Sequence, residues 1–137
     1  MKNLKTLIKL RKHSINEILK RISLLQQHKV VLEERLMKLV WEMSNETEKF
    51  GGTEYGFVLD SYLKGAREQK TIYIKGVITT ESKIQQSKFM LHDEFGEMKK
   101  LEIALQNREK QMELDETMKE AKSIDDMSLM RRVRQST

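Results

Sequence analysis

Glu48-Lys49-Phe50-Gly51-Gly52-Thr53-Glu54-Tyr55-Gly56 holds the only Gly-Gly pair of a chain that contains no proline. Glycine costs about 1 kcal/mol in a helix interior and readily adopts the positive φ that closes a helix C-terminus. The pair therefore predicts the end of a first helix over about residues 3–48 and a turn at about 49–53. Thr53 is the expected N-cap of a second helix over about residues 54–122, with Glu54 near its positive end.

Both flanks of this turn carry apolar residues at alternating spacings of four and three. Before it stand Leu4, Ile8, Ile15, Ile18, Ile22, Leu25, Leu32, Leu36, Leu39 and Met43, interrupted by Arg11 and Lys29. After it stand Leu63, Ala66, Tyr73, Val77, Ile84, Leu91, Met98, Leu101, Leu105 and Met112, with gaps at Lys70, Thr80, Ser87, Glu94 and Arg108. A mean period of 3.5 held over this length is a coiled-coil seam, narrower than the stripe of a globular helix. A short connection makes the two helices antiparallel neighbours. The expected fold is all-α: a long antiparallel two-helix coiled-coil hairpin with an overhanging C-terminal helix, forming one domain over residues 1–137.

Two registers satisfy the lattice. Facing residue numbers that sum to about 102 pair Leu25 with Val77 and Ile18 with Ile84; a sum of about 109 pairs Leu32 with Val77 and Ile18 with Leu91. The first is preferred, because its midpoint falls on the glycine pair. In either case the first helix runs out opposite residues 98 to 105, and the last ~30 residues overhang without an intramolecular partner. Ser123 followed by Asp126 resembles a capping box, opening a short terminal helix or tail over 123–137. Gly56, Gly65, Gly76 and Gly96 predict local bending of the second helix, not a domain boundary.

Composition supports a rod rather than a compact core. The chain has 137 residues, 38% apolar and 34% charged, with 6% aromatic. It has no cysteine, which removes disulfides and thiolate metal sites. No apolar run approaches the ~20 residues of a membrane span, and Met1-Lys2-Asn3-Leu4-Lys5 lacks the apolar stretch of a signal peptide. A cytoplasmic protein is expected. The net charge of +5 is concentrated at the termini: Lys2, Lys5, Lys9, Arg11 and Lys12 at one, Arg131, Arg132 and Arg134 at the other. These basic stretches contain no aromatic side chain on which bases could stack, so no nucleic-acid partner is expected.

Chemistry is not expected either. His13, His28 and His92 are too scattered for a metal set, and Asp125 with Asp126 has no pocket around it. No phosphate loop or nucleophile elbow is present, and two helices enclose no cavity. The sequence points to no enzyme, no cofactor and no small-molecule substrate. Trp41, Phe50, Tyr55, Phe57, Tyr62 and Tyr73 gather within a few turns of the hairpin tip, where they serve either a binding surface or closure of the turn.

The order of certain short pieces resembles a known family. Met1-Lys2-Asn3-Leu4-Lys5-Thr6-Leu7-Ile8-Lys9-Leu10, Tyr55-Gly56 with Tyr62, Phe95-Gly96-Glu97-Met98-Lys99-Lys100-Leu101-Glu102, and Ile124-Asp125-Asp126-Met127-Ser128-Leu129-Met130-Arg131-Arg132 are similar to the FliJ family of flagellar export proteins, in its short alphaproteobacterial form. The isoleucine- and methionine-rich seam departs from the alanine and leucine commoner in that family. The resemblance implies a stalk that docks into the hexameric flagellar export ATPase, promotes its assembly and activity, and contacts the export-gate membrane protein and export chaperones. It implies a cytoplasmic protein associated peripherally with the export apparatus at the inner membrane. Positions matching the gate-contacting zone are Leu39, Glu42, Tyr62, Ala66, Gln69 and Tyr73. The ATPase contact is expected at Lys2, Lys5, Lys9, Arg131 and Arg132. The alternatives are the equivalent stalk of a virulence type III secretion system, a general coiled-coil scaffold, or a basic helical nucleic-acid binder.

Overall fold

The computed structural model describes residues 2–136 and contains two helices, α1 (Lys2–Phe50) and α2 (Gly56–Ser136). They pack against each other as an antiparallel hairpin, and no strand occurs among the described residues. The chain divides into two compact units. One comprises the chain up to His13 together with Glu94 onward; the other comprises Ser14–Asp93.

In the Ser14–Asp93 unit the buried apolar side chains are Ile15, Ile22, Leu32, Leu59, Ala66 and Ile84, and Ile84 is the most enclosed at 2% exposure. Ile18, Leu25, Leu36, Leu39, Leu63, Val77 and Leu91 are half-buried beside them. In the other unit Ile8 is buried, while Leu4, Met98, Leu101 and Leu105 are half-buried. Every apolar seam residue expected from the sequence, Met112 apart, thus lies in the interface. Met112 is exposed, because the part of α2 that α1 covers ends at Leu105. Thr80 and Ser87, which interrupt the apolar lattice, are nonetheless buried. Small hydroxyls fit a helix interface and can bond a carbonyl of their own preceding turn. Among the described residues no buried side-chain nitrogen or oxygen lacks a hydrogen-bond partner.

Contacts in the Ser14–Asp93 unit select the register. Lys29 Nζ donates to Glu81 Oε2 at 2.8 Å. A Cβ placed on Gly76 would stand 3.1 Å from Leu32 Cδ1. These partners sum to 110 and 108, so facing positions follow the longer register of about 109 and not the preferred one of about 102. The connection explains the change. α1 continues to Phe50 and α2 begins only at Gly56, which moves the midpoint past the glycine pair. Gly76 admits the Leu32 side chain and leaves α2 unbroken.

The turn is built by local hydrogen bonds. Gly51 N–H donates to the Thr47 carbonyl at 2.8 Å, and Gly52 takes the left-handed conformation, φ 72°. A Cβ on Gly51 would meet that carbonyl oxygen at 2.5 Å, so the close approach excludes any side chain there. Thr53 is not the N-cap of α2. Its hydroxyl donates back to the Phe50 carbonyl at 2.6 Å, and its Oγ1 accepts from Tyr55 N–H at 3.2 Å. The Tyr55 carbonyl accepts the first helical bond, from Leu59 N–H at 3.0 Å.

At its other end α2 passes through Ser123 without a break and reaches Ser136. The separate terminal helix expected from Ser123 and Asp126 is therefore absent; the final residue of the range assigned to it, Thr137, lies outside the described residues. Neither glycine nor proline follows Gly96, so nothing compels a stop, and the capping signal of Ser123 is overridden by the continuing helical ladder. From Gln106 to Ser136 every residue is exposed.

Candidate functional site

The structure distributes the candidate residues over three surfaces. The first is a groove of about 400 Å³ beside the turn, lined by Glu46, Phe50, Tyr55, Val58, Leu59 and Tyr62. Phe50 and Tyr55 meet edge to face, with ring centroids 5.9 Å apart and planes at 80°. This geometry favours the positive ring edge of one aromatic over the negative face of the other. Tyr62 stays 37% exposed on the groove wall. Partial burial, with Glu42 and Glu46 adding negative charge nearby, raises its phenol above the ordinary tyrosine value. The groove is thus apolar inside and acidic at its edge. Phe57, 84% exposed, and Trp41, 66% exposed, lie outside it.

The second surface is a groove of about 250 Å³ lined by Arg35, Lys38, Leu39, Glu42 and Tyr73. Leu39, Glu42 and Tyr73, all named as gate-contact positions, are brought together here. Tyr62 belongs to the turn groove instead. Gln69 is exposed and lines neither. Ala66 is buried in the seam and presents no contact surface, because its lattice position turns it toward α1.

The third surface lies in the unit that holds both terminal segments. Lys2, Lys5, Lys9 and Lys12 are exposed along the first turns of α1. Arg11, on the seam, is half-buried and donates from Nη1 to both oxygens of Glu94, at 3.0 and 3.2 Å. A polar pair at seam positions restricts which residues can face one another. Arg131 and Arg132 are exposed near the end of α2. Both basic stretches belong to the same unit.

Lys29 and Glu81 form a second charged pair across the seam, in the Ser14–Asp93 unit. The hydrogen bond from Lys29 holds the Glu81 carboxyl below its usual range, assisted by Gln85, which donates to Glu81 Oε1 at 2.9 Å. The same bond raises Lys29, with Glu33 adding to it from 3.7 Å.

Sequence reasoning missed Leu59, which forms part of the turn groove and is among the most buried residues. One more step of four back from Leu63 along the lattice reaches it. No group of three metal-ligating side chains occurs among the described residues, and none of their helices is long and apolar enough to cross a membrane. Comparison with protein-family models, with curated proteins and with solved structures finds no match.

Proposed function

We propose that this chain is a coiled-coil stalk of the flagellar type III export apparatus, which docks into the hexameric export ATPase, promotes its assembly and activity, and links it to the export gate and export chaperones. The observation that carries the reading is the terminal unit. There α2 continues for some thirty residues past its last contact with α1, beside a first turn whose lysines are all exposed. A helix that has left its partner with a solvated surface is suited to enter a ring, and exposed lysines are suited to steer it toward acidic ring surfaces. The order of the sequence pieces similar to the FliJ family supports the same assignment.

In this reading the gate protein meets the Ser14–Asp93 unit. Leu39, Glu42 and Tyr73 offer it one groove, and the apolar turn groove with Tyr62 offers another. The chain works from the cytoplasm, associated with the apparatus at the inner membrane. A pull-down with the full chain from the native cell should recover the hexameric ATPase and the cytoplasmic part of the gate protein. Recovery of nucleic acid in a salt-sensitive manner, with neither protein present, would replace this function with the basic-binder alternative.

A further inference from the structure

The α2 segment beyond Leu105 is helical and wholly exposed, yet an isolated helix draws most of its stability from packing. Something should cover it. Its surface carries a second lattice of four-and-three spacing, different in phase from the seam: Gln111, Asp115, Met118, Lys122, Asp125, Leu129, Arg132 and Ser136. Read in reverse, this lattice is complementary to itself. About a two-fold axis between Ser123 and Ile124, Asp115 falls opposite Arg132, Met118 opposite Leu129, and Lys122 opposite Asp125. Every charge in these facing pairs meets its opposite, and every apolar residue meets another. Met118 and Leu129 are more than half exposed in the single chain, so both are available.

We infer that the α2 extensions of two copies of this chain pair antiparallel about that axis, making a homodimer through the face that α1 leaves uncovered. A two-fold contact of this kind is isologous and closes at two subunits. Few apolar layers contribute, and exposed ion pairs are individually weak, so the charges choose register and partner more than they supply strength. The pair is a reversible dimer, dependent on concentration and weakened by salt. The dimer is a state of the free chain, and it uses the same α2 extension that the proposed docking would occupy.

Sedimentation velocity on the full chain over a concentration series, at low and at high salt, tests it. The wild type should move from monomer toward dimer mass as concentration rises, less so in high salt. Asp115→Arg sets arginine against Arg132 twice in the dimer, and Arg132→Asp sets aspartate against Asp115 twice. Each should weaken association by about tenfold or more, with helicity by circular dichroism unchanged. The double variant, Asp115→Arg with Arg132→Asp, restores opposite charges at both sites and should dimerise as the wild type does. A wild type that stays monomeric to its solubility limit overturns the inference. So does a dimer indifferent to the single reversals, a species larger than a dimer, or a double variant that fails to recover.

Discussion

Ile84→Asp should unfold much of the Ser14–Asp93 unit. Ile84 is the most enclosed side chain in the interface, and the register of about 109 sets it opposite Leu25. The substitution removes an apolar group whose burial contributes about 1.5–3 kcal/mol and puts an unpaired carboxylate in its place. Breaking a buried environment in this way costs several kcal/mol. Lys29 and Lys88 line the groove beside Ile84, but Lys29 is already bonded to Glu81 at 2.8 Å. Circular dichroism should show a sharp loss of helicity or a melting temperature lowered by many degrees. Ile78→Asp, at an exposed position of the same helix, should change stability by no more than about 0.5 kcal/mol. Equal effects at the two positions would mean that Ile84 does not face α1.

If the chain docks on the export ATPase as proposed, reversal of the basic first turns should weaken that docking without unfolding the chain. Lys2, Lys5 and Lys9 are exposed, and none is needed for a buried contact. Changing all three to glutamate alters the local charge by six units while leaving Leu4 and Ile8 on the seam. If docking is steered electrostatically, association with the export ATPase should fall strongly at low salt, where charges at the surface are least screened, and the difference should narrow as salt is added. Stimulation of ATPase turnover by the triple variant equal to that of the wild type would remove the electrostatic docking mechanism.

Most of the fold was legible because a coiled coil is a repeating solution. Once Leu4, Ile8 and Ile15 set the phase on α1, the four-and-three spacing carried the pattern through to Met43, with Arg11 and Lys29 recognisable as tolerated charges. What stayed illegible was decided by contacts between helices. Two registers a heptad apart bury the same lattice, and the choice between them rests on how the turn closes: Thr53 bonds back to Phe50 and forward to Tyr55, widening the connection beyond what the glycine pair suggests. Met112 was assigned to the seam because the α2 pattern continues through it, while α1 has already ended. Ser123 carries a local start signal that an uninterrupted helix overrides.

The candidate surfaces were legible only in part. The aromatics near the turn were visible as a cluster, but Trp41 and Phe57 do not line the groove that Phe50, Tyr55 and Tyr62 share. Ala66 matched the gate zone by position along the chain, whereas its burial depends on the helical phase. Spacing alone places a residue near a surface; the facing helix decides whether that residue is on it.

The register governs where α1 runs out, and therefore how much of α2 is left to meet a partner. The absence of native cysteine allows a clean test by paired substitution. Leu25→Cys with Ile84→Cys, oxidised and mapped by peptide mass, should give an intramolecular disulfide in monomeric chains. Ile18→Cys with Ile84→Cys should not, because disulfide formation requires Cα atoms within about 7 Å. A cross-link at Ile18 and Ile84 but none at Leu25 and Ile84 would restore the shorter register. Cross-links found only between chains would contradict the antiparallel hairpin itself.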